Sequence, residues 1–140
     1  MTRSGPLLQT AVFCESVIEA KDGTLSIIRI IDRLTVNAAG PGAPHEMPPI
    51  QHQLTAVLTF KGGDAQGRVD VRVEMEKPSV TDRTVVWEGS MLCEGPDRGQ
   101  NFVLRLQQTF DLEGLYWFHV YVGDETMTRI PFRLLYLRQS

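Results

Sequence analysis

The feature of this sequence that most constrains its fold is a two-residue periodicity of apolar and polar positions. From Arg68 to Glu76 every second residue is apolar. Successive side chains of a β-strand point to opposite faces, so this pattern is typical of a strand with one buried and one solvated face. Residues 51–60 and 102–112 alternate similarly, and residues 84–92 do so less cleanly. We therefore predict a β-protein, and we expect Gly89 to mark a bulge in the weakest of these strands.

The first forty residues alternate less regularly. Residues 7–18 have a spacing that also suits a helix, but they are followed by Asp22-Gly23, which is a strong hairpin signal. We therefore predict a strand there, paired with a second strand that begins at Leu25. Residues 25–36 change their apolar face midway, as a bulged or doubly buried strand does.

Turn-forming residues separate the predicted strands, as a sheet protein requires. The chain has 140 residues, a length that suits one domain with its own core. We predict a single domain over residues 1–140, an all-β, two-sheet antiparallel β-sandwich of about seven to nine strands with an immunoglobulin-like or related topology. Residues 37–49 are rich in Pro and Gly, and we predict that they form an irregular connection between the two sheets.

The last hairpin allows a more detailed prediction, because directly opposed residues share a face. A three-residue loop, Gly123-Asp124-Glu125, sets Val122 opposite Thr126 and keeps the apolar residues of both strands on the core side. These core-facing residues are Tyr116, Phe118, Val120, Val122, Thr128, Ile130, Phe132 and Leu134. The outward face then carries Trp117, His119 and Tyr121 beside Met127, Arg129 and Pro131.

Motifs for catalysis and metal binding are not found in the sequence. There is no G-x-S-x-G or H-E-x-x-H motif, and His45, His52 and His119 lack the spacing of a zinc site. The carboxylates between Asp70 and Glu76 share a face with arginines, which is typical of a solvated, mixed-charge exterior. We therefore predict no enzymatic activity, no cofactor and no metal.

Charge and cysteine usage bear on partners and compartment. The formal net charge of −3 argues against broad binding of nucleic acid or anionic membranes. The beginning of the sequence does not have the pattern of a secretory signal peptide. Cys14 and Cys93 are too far apart in sequence for a C-x-x-C motif, and we interpret them as buried, reduced thiols. These features favour a cytoplasmic protein.

An aromatic and arginine-rich surface is the strongest functional candidate. Arginine is suited to flat, stacked contacts, and aromatic and arginine side chains dominate interface hot spots. The candidate surface consists of Trp117, His119, Tyr121, Met127, Arg129 and Arg133. We predict a non-enzymatic interaction module that uses this surface for self-association or protein binding. Two alternatives stay open: a small-ligand or carbohydrate-binding sandwich, and a second layer of the same chain that covers the rings.

Several segments resemble a family of small uncharacterised bacterial proteins. The opening similarity lies in Phe13-Cys14-Glu15-Ser16-Val17, Asp22-Gly23-Thr24-Leu25-Ser26 and Ile30-Ile31-Asp32-Arg33-Leu34. The closing similarity lies in Gly114-Leu115-Tyr116-Trp117-Phe118, Gly123-Asp124 and Ile130-Pro131-Phe132-Arg133. The resemblance implies an immunoglobulin-like β-sandwich. It implies no catalytic or binding residue, because the family carries no assigned activity.

Overall fold

The computed structural model describes residues 5–139, which form nine β-strands. The strands are β1 (Leu7–Glu19), β2 (Leu25–Ile31), β3 (Arg33–Ala39), β4 (Ile50–Lys61), β5 (Gly67–Glu76), β6 (Arg83–Cys93), β7 (Gly99–Phe110), β8 (Gly114–Val122) and β9 (Glu125–Gln139). Within this described range no residue is helical, and thus no helix there could cross a membrane. The prediction of an all-β chain is confirmed, and strand β1 replaces the alternative helix over residues 7–18.

The nine strands form two sheets, as predicted. The four-stranded sheet has the order β2-β1-β4-β7, and the five-stranded sheet has the order β3-β9-β8-β5-β6. Neighbouring strands are antiparallel except β3 and β9, which are parallel from Arg33 opposite Arg133 to Ala39 opposite Gln139. The prediction of purely antiparallel sheets is wrong for this pair, because β3 runs in the same direction as the last strand.

The core is one cluster of buried side chains to which both sheets contribute. Phe13 of β1 packs edge-on against Phe118 and Phe132 of the five-stranded sheet, with ring centroids 4.8 and 5.2 Å apart. Edge-to-face contacts of this kind are favourable beyond the area that they bury. The even-numbered residues from Leu54 to Phe60 point into the same core, as their alternation predicts. On one side of the molecule the edge strands β6 and β7 contact each other.

The prediction that residues 25–36 form one bulged or doubly buried strand is wrong. They form β2 and β3, which belong to different sheets and are separated by Asp32. The carbonyl of Asp32 accepts a hydrogen bond from the Arg133 amide, 3.0 Å away, so the chain joins β9 at this point. The change of apolar face therefore marks a change of sheet.

The Pro/Gly-rich connection is shorter than predicted. Residues 37–39 belong to β3, because their backbone pairs with β9, and only residues 40–49 are irregular. This remaining segment is held against the body of the protein. Met47 is buried in the core, and the Tyr136 hydroxyl donates a hydrogen bond of 2.7 Å to the Pro44 carbonyl.

Two predicted details of the strands are wrong, namely the length of the last loop and the position of the bulge in β6. The last hairpin has a two-residue turn, Gly123-Asp124, with Val122 opposite Glu125. Parity is restored by a bulge, because Val120 pairs with Thr128 while Tyr121 pairs with Thr126. The predicted core face of the hairpin is therefore retained, although the predicted loop length is wrong.

Gly89 does not mark a bulge. It pairs in register with Val71, and the irregularity in this pair of strands lies between Val73 and Glu74. A Cβ atom on Gly89 would lie 2.5 Å from the Trp87 ring. The indole lies over the Gly89 backbone, so a larger residue at this position would require the Trp87 ring to move.

Candidate functional site

The outward side chains of β5, β8 and β9 form one continuous surface, which we call the aromatic face. Its centre is the row Trp117, His119 and Tyr121 on β8. The residues opposite them on β5 are Glu76, Glu74 and Arg72, respectively. On β9, Pro131 lies opposite Trp117, Arg129 opposite His119, and Arg133 opposite Leu115. Parity within the last hairpin thus predicted the aromatic row and its arginine neighbours.

Tyr121 is mostly covered by side chains of its own sheet. Only 8% of the residue is exposed. The Arg72 guanidinium lies over the ring, 4.2 Å from its centroid, and the Arg83 guanidinium hydrogen bonds to the hydroxyl. Stacking of a cation on an aromatic face is favourable, more so where water is partly excluded. Tyr121 is therefore covered by charged side chains of β5 and β6 in its own sheet, and not by the second layer that was considered as an alternative.

Arg72 is held in place by three groups. Its Nε atom donates a hydrogen bond of 2.7 Å to Glu74, and its Nη1 atom donates one of 2.7 Å to the Gly123 carbonyl. The third contact is the Tyr121 ring. The hydrogen bond to Glu74 raises the pKa of Arg72 further above its usual range, so the group is a fixed cation.

His119 is the most buried polar residue of the aromatic face, with 4% exposed. Its Nε2 atom lies 3.0 Å from a carboxylate oxygen of Glu76, and that oxygen lies 3.5 Å from Nε of Arg83. The imidazole also stacks on the Tyr121 ring, with 6.4 Å between centroids. Glu74 and Glu76 of β5 are therefore partly buried members of a hydrogen-bonded network. The prediction that they form a fully solvated exterior is wrong for Glu74 and Glu76.

Trp117 and Arg129 form the accessible end of the aromatic face. The Arg129 guanidinium lies 4.4 Å from the centroid of the indole. Trp117 is half-buried, and Arg129, Pro131 and Arg133 are exposed. This end presents an aromatic ring and two cations to solvent.

Met127 does not belong to this surface, although it was predicted there. It is the extra residue of the bulge between β8 and β9, and it packs against the core. Met127 also lines a shallow depression between β1 and β9. The bulge turns its side chain away from the row that contains Arg129.

A second depression adjoins the aromatic face. It has a volume of about 330 Å³ and is lined by Asp70, Val71, Arg72, Glu88 and Gly89. Its lining combines one arginine with two carboxylates, a valine and a glycine. None of these lining residues is aromatic.

The cysteines and histidines form no reactive cluster in the described part of the chain. Cys14 and Cys93 are buried free thiols, and burial raises the pKa of both. Residues 5–139 contain no group of three or more His, Cys, Asp or Glu side chains that could hold a metal ion. His45 lies beside Arg138, 2.7 Å away, far in sequence from His119.

Sequence reasoning missed the residues that cover the aromatic row. Arg72, Glu74 and Glu76 lie on β5, some forty residues before β8, and Arg83 lies on β6. Their position follows from the order of strands in the sheet. A search for Arg and Glu at every second position of a strand identifies them as candidates, but it does not show that β8 is the strand beside β5.

Parts of two solved structures have a fold similar to that of this chain. The chain superposes on part of a β-glucosidase from Listeria innocua in complex with glucose, with a TM-score of 0.56 and 10% sequence identity. The match covers 94% of this chain and 16% of that chain. The β-glucosidase from the same organism in complex with isofagomine gives a TM-score of 0.53 at 10% identity, over 94% of this chain and 17% of that chain. The chain thus spans about one sixth of these proteins, and at this identity the likeness concerns the fold alone.

Sequence comparison identifies a family. No curated protein matches the sequence. The model of a family of unknown function, DUF6941, matches residues 9–135, which include eight of the nine strands almost in full and all but the end of β9. The resemblance inferred from the opening and closing segments is thereby confirmed, and this chain belongs to the family of unknown function DUF6941.

Proposed function

We propose that this chain is an immunoglobulin-like β-sandwich that acts as a non-enzymatic, cytoplasmic interaction module and binds a protein partner through the exposed end of its aromatic face. The observation that carries the proposal is the Arg129 guanidinium stacked on a half-exposed Trp117. Tryptophan and arginine are the residues most enriched in interface hot spots. The surrounding charges suit the polar rim that such hot spots have.

One local feature supports the immunoglobulin-like topology. The Tyr116 hydroxyl donates a hydrogen bond of 2.7 Å to the Leu112 carbonyl and accepts one of 3.1 Å from the Leu112 amide. A tyrosine near the start of a strand that bonds to backbone a few residues upstream is typical of these sandwiches. The parallel pairing of β3 with the last strand and the contact between β6 and β7 are compatible with two facing sheets.

Within the aromatic face the residues have different roles. His119 and Tyr121 are nearly buried and fix the positions of Glu76, Arg83 and Arg72. Trp117, Arg129 and Arg133 remain accessible to a partner. Because the network holds the β5 charges in place, a partner meets a preorganised surface, which lowers the entropy cost of binding.

Site-specific photo-crosslinking in the native host tests this function. A photoreactive residue at Arg133 should form an adduct with one reproducible protein, and the same residue at Thr55, on the other sheet, should not. Binding of the identified protein, once purified, should weaken at least about tenfold for Trp117→Ser and for Arg129→Ser. Thr55→Ser is the matched control and should bind as the wild type does.

Two results would contradict the proposal. Equal crosslinking from both positions would show that the aromatic face is not selective. Unchanged affinity in the Trp117→Ser and Arg129→Ser variants, with their fold verified by circular dichroism, would remove these residues from the interface.

A small polar ligand is the second candidate, and the depression beside Arg72 is the observation that favours it. Its volume of about 330 Å³ lies at the small end of ligand sites. The charged lining suits a zwitterionic or polyhydroxylated molecule better than an apolar one. Titration of isotope-labelled protein with monosaccharides and amino acids tests this alternative. Saturable amide shifts at residues 70–72 and 88–89 would support it, and no shifts at millimolar ligand would reject these two ligand classes.

The cytoplasmic part of the proposal rests on the free thiols Cys14 and Cys93. Intracellular proteins usually keep their thiols reduced. Fractionation of host cells, followed by detection of the native protein, tests this point directly. Recovery with an extracellular or envelope fraction would contradict it.

A further inference from the structure

The carboxylates directly opposite the aromatic row are bound by groups of this chain. Glu74 forms an ion pair with Arg72, and Glu76 lies within 3.5 Å of both His119 and Arg83. The other carboxylates of this face are at its far end, beside the second depression; they are Asp70 and Glu88. The end of the face that contains Trp117 therefore has no uncompensated carboxylate on β5.

The charged groups at the rim of that end are bound as well. Their contacts within the chain are those of Arg33 with Asp32, of Lys77 with Asp111, and of the Glu113 carboxylate with the Tyr136 amide. Glu125, at the start of β9, lies opposite the core residue Val122 and thus on the other face of the sheet. These groups leave little net charge at the rim.

Arg129 and Arg133 are the cations of this end that lack a partner of opposite charge. Within residues 5–139 neither guanidinium forms an ion pair, and that of Arg129 rests on the Trp117 ring. Both arginines are exposed. The accessible end of the aromatic face is therefore locally positive, although the whole chain has a formal net charge of −3.

An apolar patch lies between the two cations. Pro131 is midway between Arg129 and Arg133 on β9, and it lies opposite Trp117 on β8. The two arginines are four residues apart, which is about 13 Å along a strand. A guanidinium matches the geometry of a carboxylate, and an exposed tryptophan suits an apolar side chain of a partner. A complementary surface thus carries two carboxylates with an apolar group between them.

We propose that the partner of the aromatic face presents an acidic protein segment, with carboxylates for Arg129 and Arg133 and an apolar side chain between them for Trp117 and Pro131. This inference rests on the proposed function, because it names the chemistry of the partner that binds the same surface. A nucleic acid fits less well. Its many phosphates would meet two cations on a chain that is negative overall.

NMR titration of the isotope-labelled full chain with a synthetic peptide tests this inference. The probe is the capped peptide Ser-Glu-Thr-Tyr-Thr-Glu-Ser, whose glutamates are four residues apart with an aromatic side chain between them. It should shift the Trp117 indole N–H and the Nε–H signals of Arg129 and Arg133 in a saturable way. A peptide with glutamine at both glutamate positions should bind at least about fivefold more weakly. Rising salt should weaken binding of the glutamate peptide more than that of the glutamine peptide.

Substitutions in the protein test whether the two arginines bind the carboxylates directly. The double variant Arg129→Gln, Arg133→Gln should bind the glutamate peptide no better than the wild type binds the glutamine peptide. The double variant Arg129→Glu, Arg133→Glu should instead prefer a peptide with lysine at both glutamate positions. Arg105→Gln is the matched control, because Arg105 is also exposed and forms no ion pair within residues 5–139. It should bind as the wild type does.

Several outcomes would overturn the inference. Equal binding of the glutamate and glutamine peptides would do so, as would the lack of a saturable shift with the glutamate peptide at millimolar concentration. Tighter binding of inorganic phosphate or of a duplex oligonucleotide at the same signals would replace the acidic segment by a phosphate ligand. Shifts of these signals with protein concentration alone would replace it by a second copy of the chain. Failure of the proposed function is recognised separately, by equal crosslinking from Arg133 and Thr55.

Discussion

The two outer faces of this protein are built from different chemistry. On the five-stranded sheet, arginines and glutamates cover a row of aromatic rings and bind one another. On the four-stranded sheet, the outward residues are mostly Ser, Thr, Gln, Ile and Val. Arg105 on β7 and Lys61 at the end of β4 are the charged residues on this second face, which we call the outer face of the four-stranded sheet. The comparison shows that alternation alone does not describe an exterior. On the five-stranded sheet charged side chains bind one another, whereas on the four-stranded sheet most outward side chains are uncharged.

The largest expected difference between the faces concerns Tyr121. Tyr121→Ala removes a nearly buried ring, the stacked Arg72 and the partner of Arg83, and should lower the free energy of unfolding by about 3 kcal/mol. Thr55→Ala on the outer face of the four-stranded sheet should change the free energy of unfolding by less than about 0.5 kcal/mol. Urea unfolding of both variants measures the difference. Equal losses would show that the network adds nothing to stability.

The next prediction compares the aromatic face with the core, in which Tyr116, the other tyrosine of β8, lies. Burial, with a smaller effect of Asp111, raises the pKa of Tyr116. Stability from this group is fully present below the unfolded pKa, about 10, and is lost as pH rises through the folded pKa. Tyr116→Phe loses two hydrogen bonds to Leu112 and should be less stable at neutral pH by about 1–2 kcal/mol.

Urea unfolding from about pH 7 to about pH 11 tests both parts of this prediction. Stability of the wild type should fall more steeply above about pH 10 than that of Tyr116→Phe. The buried thiols add an alkaline loss that both proteins share. Parallel curves for the two proteins would mean that the Tyr116 hydroxyl is not the group that titrates.

The smallest expected effect distinguishes the cations of the two faces. Arg105→Gln on the outer face of the four-stranded sheet should change the free energy of unfolding by less than about 0.5 kcal/mol. Arg72→Gln should cost more, because Arg72 has Glu74, the Gly123 carbonyl and the Tyr121 ring as partners. Thermal unfolding of the two variants side by side checks the order. A greater loss in Arg105→Gln would contradict the contrast between the faces.

Sequence reasoning succeeded where a structural relation is local. The outward row Trp117, His119 and Tyr121 and its neighbour Arg129 follow from parity within a single hairpin. Parity could not distinguish an odd loop from an even loop with a bulge, because both keep the same residues on the core side. Met127 was misplaced for this reason.

Relations between distant strands could not be predicted. Nothing local to β5 indicates that β8 is its neighbour, so the contacts of Arg72 and Glu76 with the aromatic row were invisible in the sequence. The change of sheet at Asp32 was hidden for a similar reason. A strand that changes its apolar face looks the same whether it bulges within one sheet or passes to another.

The β1–β2 hairpin has a consequence for how this chain can vary, because its residues 15–31, which we call the arm, extend beyond the pairing of β1 with β4. Its ends are fixed, since Cys14 lies where pairing with β4 stops and Asp32 lies where the chain joins β9. The length between them is set by the hairpin itself, whose Asp22-Gly23 turn is exposed and does not belong to the core cluster. Adding two residues to each strand of the arm next to this turn should leave the core unchanged, because residues 16–30 are not part of the core cluster. The tip is therefore the natural place to insert a peptide tag or a second folded domain.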